Sequence, residues 1–367
     1  MTIKKAYHGG AFFNSIGNDF SKLEKSKEVI NADVLDAWFD PTPKAILKLK
    51  KYLSWIVKTS PPTRCEGLID TISKYRKIPK ENILVGGGSS DLMFTFFPNI
   101  LQKKESVLIL DPMYGEYAHI FENITKTKII RYQLESRNNF CINYNSLVKK
   151  IKTENPCVIM LTNPNSPTGQ YWEKSNIVNL IKEFPDKLFV VDETYIEYIG
   201  KQFSLEQEAI KNNNLVIIKS MSKVYALSGA RVGYLVANRD ITEKISQIIP
   251  PWSVSLVGQI CAVEALKDEE YYLIKYNETQ KLRKKMMNSL KDVSSIKLYD
   301  SVANFFLIEL IDKKLKADAI VNALREKNVF IRNCNSMSKQ FHNNFIRIAV
   351  KDDKSNKKII KELKNLI

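Results

Sequence analysis

The chain has 367 residues, 44% of them hydrophobic, which is enough for a large core and two packed lobes. Its formal net charge of +16 invites a nucleic-acid reading, but only ten of its 56 basic residues are arginine. The lysines are spread along the chain without interleaved aromatics, so the excess reads as a solvated surface able to steer small anions, and no apolar run reaches membrane-spanning length.

In chain order, "MTIKKAYHGGAFF" carries basic residues with no sustained apolar region after them, so no secretory signal is expected and cytoplasmic placement is the default. The short run "NILV" leads into "VGGGSSD" (85–91) and then a helical "DLMFTFF". Five strand-length runs come next: "SVLIL" (106–110), "CVIML" (157–161), "LFVVD" (188–192), "LVIIKS" (215–220) and "VGYLVA" (232–237). Each is apolar almost throughout, as strands buried on both faces are. Helix-length segments such as 173–184 separate most of them, which predicts an α/β fold with a mainly parallel sheet. "KNNN" (211–214) is a turn; from about residue 262 a lysine-rich helical stretch (264–293) precedes "IKLYDSVANFFLIEL" and "NNFIRIAV" (343–350). These read as a smaller α+β lobe. The expected division is an arm over 1–40 joining that lobe, a large domain over 41–255 and a small C-terminal domain over 256–367.

Five cysteines (Cys65, Cys141, Cys157, Cys261, Cys334) form no CxxC pair, and His8, His119 and His342 lack metal-ligand spacing, so no metal site is expected. Polar and turn-forming residues gather instead after successive strands: "DPMYGEY", "TNPNSPTG", "DETYIEY" and "KSMSKVYALSG". Ligands of parallel sheets bind at that edge, so these loops are the expected site.

Together, "NPNSPTG", "VVDETYIEY", "SMSKVYALSGARVGYL" and "FIRIAV" resemble the pyridoxal-phosphate enzymes of fold type I. The branch containing histidinol-phosphate aminotransferase and threonine-phosphate decarboxylase is the most similar, and the likeness spans nearly the whole chain. Taken alone, Lys223 reads as a surface lysine, Asp192 as a helix N-cap and Tyr114 as a core aromatic. The resemblance implies other roles: a Schiff base with the cofactor aldehyde for Lys223, a partner of the pyridine nitrogen for Asp192, and a hydrogen bond to the phenolic oxygen for Tyr195. It likewise implies that Tyr114 lies against the ring, that Gly88, Ser89, Ser90, Ser220, Ser222 and Arg231 hold the phosphate, and that Arg332 and Arg347 bind an acidic substrate group. The resemblance also places Asn304 near the substrate and makes His8 a further candidate anion binder, for which a surface position in the arm is nearly as good a reading.

The chain also departs from the family pattern. Ser166 stands where an asparagine precedes "PTG", so that cofactor contact is either shortened or passed to Asn165, with Tyr195 carrying more of it. In "DAWFDP", Trp38 and Phe39 are expected in the substrate entrance, and Ser60 replaces a tyrosine that reaches the neighbouring subunit, with Arg64 as its substitute. The resemblance implies a homodimeric aminotransferase acting on small anionic amino and keto compounds, with phosphonoacetaldehyde (whose amine form is 2-aminoethylphosphonate) and histidinol phosphate as candidates. Decarboxylation of a phosphorylated amino acid is the alternative. A nucleic-acid-binding protein on a degenerate fold of this type is the third reading.

Overall fold

The computed structural model describes residues 9–101 and 105–367. Its twelve strands are β1 (Ile30–Ala32), β2 (Ile83–Gly86), β3 (Ser106–Asp111), β4 (Lys128–Gln133), β5 (Val158–Thr162), β6 (Leu188–Asp192), β7 (Leu215–Ser220), β8 (Gly233–Val236), β9 (Ile296–Tyr299), β10 (Phe305–Leu310), β11 (Val329–Asn333) and β12 (Phe345–Ala349). Seven of them form one sheet in the order β2-β8-β7-β6-β5-β3-β4. Strands β3 to β7 pair in parallel, while β8 runs antiparallel to both its neighbours.

Every residue of β5 and β7 is buried, and so is all of β6 except its first residue. This burial on both faces explains their unbroken apolar sequence. The edge strand β4 is the one the apolar-run criterion misses: "KIIRYQ" mixes exposed and buried positions because water reaches one side. In β8, Gly233 is required by close packing. A Cβ there would lie 2.5 Å from the amide nitrogen of Ser89, so the strand backbone rests on the start of the helix Ser89–Ile100.

The second sheet runs β1-β11-β12-β10-β9, with β1 parallel to β11 and the other pairs antiparallel. Its core holds Phe305, Phe306, Ile308, Ile346, Ile348, Ile359 and Leu363. The lysine-rich stretch resolves into two helices, Leu256–Lys267 and Glu269–Leu290. Asp268 marks the break, accepting from Lys44 Nζ at 2.6 Å and from the Thr42 hydroxyl, which ties it to the start of the helix Pro43–Lys58. No helix among the described residues is long and apolar enough to cross a membrane.

A buried ionic network lies beside β7. Lys219 Nζ sits 2.8 Å from Glu197 and 3.3 Å from Glu193, and Arg76 pairs with Glu197 at 3.2 Å and with Glu206. The Tyr234 hydroxyl donates to Glu206 at 2.7 Å. Burial alone would raise the Glu197 carboxyl, but Arg76 and Lys219 overcome it and hold the group at about 2. Burial prevails at Glu193, which is pushed above the usual range despite Lys219.

Candidate active site

Loops at the carboxyl ends of β3, β5, β6 and β7 open onto one cavity of about 980 Å³, closed on its far side by residues of the small sheet. This is the edge where a parallel sheet offers backbone ends and short loops to a ligand. Among the expected residues, Ser89, Ser90, Tyr114, Ser166, Asp192 and Tyr195 line it. So do Ser220, Ser222, Lys223, Arg231, Arg332 and Arg347.

One end is built to hold an anion. Ser89 and Ser90 begin a twelve-residue helix, whose first amides and dipole favour negative charge. Ser220 caps the short helix Met221–Val224 by accepting from the Ser222 amide at 3.4 Å. Arg231 Nη1 donates to the Ser228 carbonyl at 2.9 Å and to the Ser222 hydroxyl at 3.4 Å. Gly88 lies directly against that guanidinium: its φ is +96°, and a Cβ there would sit 2.5 Å from Arg231 Nη2. That positive φ is what favours glycine here.

In the middle of the cavity, Asp192 ends β6 with both carboxyl oxygens hydrogen-bonded. Its Oδ1 accepts from the Thr194 amide at 2.8 Å and the Thr194 hydroxyl at 2.5 Å, and its Oδ2 accepts from Tyr117 at 2.8 Å. Burial raises the carboxyl above its ordinary range in spite of those donors. Tyr195 packs edge-on against Phe305, its ring centroid 5.1 Å away, and burial pushes its phenol well up. Burial likewise pushes the Tyr114 phenol up to about 12.

The two lysines of "KSMSK" separate cleanly. Lys219 is 3% exposed and committed to the ionic network, whereas Lys223 is half-buried and lines the cavity. Lys223 Nζ donates to Asp36 Oδ1 at 2.8 Å and to the Ser228 hydroxyl at 3.3 Å. Asp36 is a site residue that no sequence motif singles out, although it stands in the quoted "DAWFDP". Burial pushes its carboxyl up, but Lys223, Ser228 and Lys351 together bring it below the usual range.

On the small-sheet side, Arg332 of β11 stands directly across from Arg347 of β12. Both are buried, and like charges opposite one another in a sheet are unfavourable. Arg347 Nη1 donates to the Ser166 hydroxyl at 3.0 Å and Nη2 to the Asp33 carbonyl at 2.9 Å, while its Nε is buried without a hydrogen-bond partner among the described residues. Burial lowers the guanidinium's pKa. Arg332 Nη1 lies 3.7 Å from Asp33 Oδ1. A register that sets two buried guanidiniums side by side against a cavity has the chemistry of an anion receptor.

Four expectations need correction. Asn165 does not line the cavity: its amide nitrogen donates to the Pro112 carbonyl and the Thr168 hydroxyl, both at 3.1 Å, and its oxygen accepts from Thr162. It shapes the loop, and Ser166 faces the cavity. Trp38 turns the other way, its indole nitrogen donating to Thr279 at 2.8 Å with Lys275 Nζ 4.8 Å from its ring centroid. Phe39, 5% exposed, packs between Tyr272 and Tyr276. Asn304 is buried behind the cavity wall, donating to the Leu35 carbonyl at 3.0 Å. His8 lies outside the described residues, and Arg64 donates to the Ser246 carbonyl at 2.8 Å.

Residues 31–363 match the family described as aminotransferase class I and II. Over 344 residues the chain is 30% identical to the histidinol-phosphate aminotransferase of Methanocaldococcus jannaschii, covering 94% of this chain and 90% of that protein. Two solved structures share the fold. The histidinol-phosphate aminotransferase from Sinorhizobium meliloti in complex with pyridoxal-5'-phosphate matches at TM-score 0.82 with 18% identity, covering 100% of both chains. The L-threonine-O-3-phosphate decarboxylase from Porphyromonas gingivalis matches at TM-score 0.80 with 22% identity, covering 92% of this chain and 99% of that one. With a family match across nearly all of its length, this chain belongs to the aminotransferase class I and II family and is a pyridoxal-phosphate-dependent aminotransferase of fold type I.

Proposed function

We propose that the enzyme transfers the amino group of a small amine that carries a phosphate or comparably strong acid group. The observation that carries this reading is the Arg332–Arg347 pair, buried in register on the same cavity as Lys223 and Asp192. The donors fit pyridoxal phosphate: a serine-lined helix start with Arg231 suits its phosphate, and a buried carboxyl at Asp192 suits a protonated ring nitrogen. When bound, that cofactor supplies an aldehyde for covalent attachment of amines and a ring that withdraws electrons. Ser89, Ser90, Ser220, Ser222 and Arg231 would then hold the phosphate, with Gly88 giving Arg231 its room. Tyr114 would flank the ring and Tyr195 would donate to its phenolic oxygen. Lys223 Nζ would give up or accept the proton that moves during transfer. In this reading residues 41–255 hold the cofactor, and 256–367 with the arm 1–40 supply Arg332 and Arg347.

Trp38 and Phe39 both turn away from the cavity, so they provide no argument for an especially compact substrate. Histidinol phosphate and 2-aminoethylphosphonate therefore stand as parallel candidates. The decarboxylase reading is supported by decarboxylases that share the fold, the threonine-phosphate decarboxylase among them. The test is to incubate the cofactor-loaded enzyme and 2-oxoglutarate with histidinol phosphate, O-phosphothreonine, 2-aminoethylphosphonate and the unphosphorylated parent amines. Glutamate formation with about a 10²-fold or greater preference for the anionic member of a pair is expected, because buried donors left unpaired are costly. Equal turnover of charged and uncharged amines would sink the proposal, and carbon dioxide release without glutamate would favour decarboxylation.

We also read the enzyme as a homodimer. The helix Pro43–Lys58 exposes Leu47, Leu53, Trp55 and Val57, each more than half accessible, and Trp252 is 55% exposed. Exposed apolar groups of this size on one helix favour burial against a second copy. Sedimentation should give a dimer that Trp55→Glu shifts towards monomer. A wild type that sediments as a monomer at micromolar concentration would rule the dimer out.

A further inference from the structure

Asp36 sits at the meeting point of the two sheets. The segment 33–36 is gripped from the small-sheet side at three backbone carbonyls: Arg347 Nη2 donates to Asp33 O at 2.9 Å, Asn304 Nδ2 to Leu35 O at 3.0 Å and Lys351 Nζ to Asp36 O at 3.0 Å. Asn31 holds the same segment from before, its Oδ1 accepting from the Val34 amide at 3.2 Å and its Nδ2 donating to Asp36 Oδ2 at 3.4 Å. That leaves Asp36 Oδ1 to accept from Lys223 Nζ at 2.8 Å and from the Ser228 hydroxyl at 2.6 Å. The Ser228 hydroxyl also approaches the Ser222 carbonyl at 3.1 Å, which fixes it next to the same short helix. A long flexible side chain is thereby held at its tip by a carboxylate that cannot follow it.

We propose that Asp36 is the positioning residue for Lys223. Its carboxylate, immobilised by the clamp on 33–36, fixes the amine nitrogen where a cofactor aldehyde meets it. The proposal rests on the reading of Lys223 as the amine that captures the cofactor. In that capture the nitrogen forms a bond to the aldehyde carbon, and two of its ammonium hydrogens leave with the aldehyde oxygen as water. The positive charge stays on nitrogen, so Asp36 faces a cation before and after, and its attraction persists through the step.

The same clamp gives Asn304 and Lys351 a function that neither sequence position announces. Both hold the backbone that presents Asp36, and Arg347 contributes one of the three contacts.

The test compares pyridoxal 5'-phosphate with pyridoxine 5'-phosphate, an alcohol that shares its ring and phosphate but cannot be captured. Affinities of both are measured by tryptophan fluorescence on cofactor-stripped wild type, Asp36→Asn and Asp36→Glu. Wild type should prefer the aldehyde. Asp36→Asn should shrink that preference about tenfold or more while its affinity for the alcohol is unchanged, because a Lys223 no longer held at its tip must be ordered at the moment of capture, and the alcohol makes no bond to it. Asp36→Glu should recover most of the preference. An unchanged preference in Asp36→Asn overturns the proposal, as does a parallel loss for both compounds, which would mark a merely structural role. A wild type with no preference would overturn the Lys223 reading itself and the proposal with it.

Discussion

Lys223→Ala is expected to lose at least about 10⁴-fold in turnover while keeping its fold, because a covalent attachment point and a proton carrier vanish together. The side chain is half-buried, and its loss leaves Asp36 hydrogen-bonded to Ser228 and Asn31. Affinity for the cofactor phosphate should fall far less, since Ser89, Ser90, Ser220, Ser222 and Arg231 are untouched. Lys223→Arg separates two explanations. It preserves a cation for Asp36 but has no amine able to attack an aldehyde, so it should be as inactive as the alanine variant. Substantial turnover in either variant, measured as glutamate produced per enzyme, would remove Lys223 from the chemistry.

Arg76→Met is expected to be the most damaging change away from the cavity, costing about 3–5 kcal/mol, because it strands buried carboxylates. Glu197 and Glu206 both pair with Arg76, and all three side chains are about 5% exposed. Lys219 would remain as the nearby cation, already 2.8 Å from Glu197 and 3.3 Å from Glu193. The urea midpoint at neutral pH reads this cost directly. The network also sets an acid limit. Glu197 is depressed to about 2 in the folded chain, so its stabilisation is present above its unfolded value of about 4.3 and is lost as pH falls towards 2. Wild type should therefore lose stability over that acid window, and Arg76→Met should show a shallower loss because its Glu197 starts from a less favoured charged state. A wild-type stability that is flat from pH 5 to pH 2 would contradict this assignment.

The parts of the fold that are legible in the sequence share a physical origin. Strands β3, β5, β6 and β7 are buried on both faces, so each appears as an apolar run with a polar loop at its carboxyl end. The polar ends of those runs carry Tyr114, Ser166, Asp192 and Lys223, all of which line the cavity. Edge strand β4 gives no such signal, because one-sided exposure erases it. Asp36 escapes the sequence for a different reason: its partner Lys223 lies 187 positions away, and Lys351, which holds its carbonyl, lies 315 away. Local pattern carries no trace of such a pairing. Trp38 shows the converse, since a bulky residue beside a site need not face it. Within "DAWFDP" the chain turns Trp38 towards Thr279 of the helix Glu269–Leu290 and Asp36 towards Lys223 and Ser228, and these distant partners decide which way each goes.

Asn165 and Asn304 are instructive in the same way. Both have the polarity expected of ligand contacts, yet each is buried with its amide nitrogen donating to protein acceptors. Residues that build a site and residues that touch its ligand are alike in type; what separates them is where their hydrogen bonds end.

The most direct measurement is to load the purified enzyme with pyridoxal phosphate, reduce it with borohydride and map the modified peptide by mass spectrometry. The cofactor should be found on Lys223, in the peptide spanning "SMSKVYALSGAR", and the protein should lose its visible absorbance on reduction. Modification at Lys219 or Lys351 instead, or a reduced protein that carries no cofactor, would contradict the account.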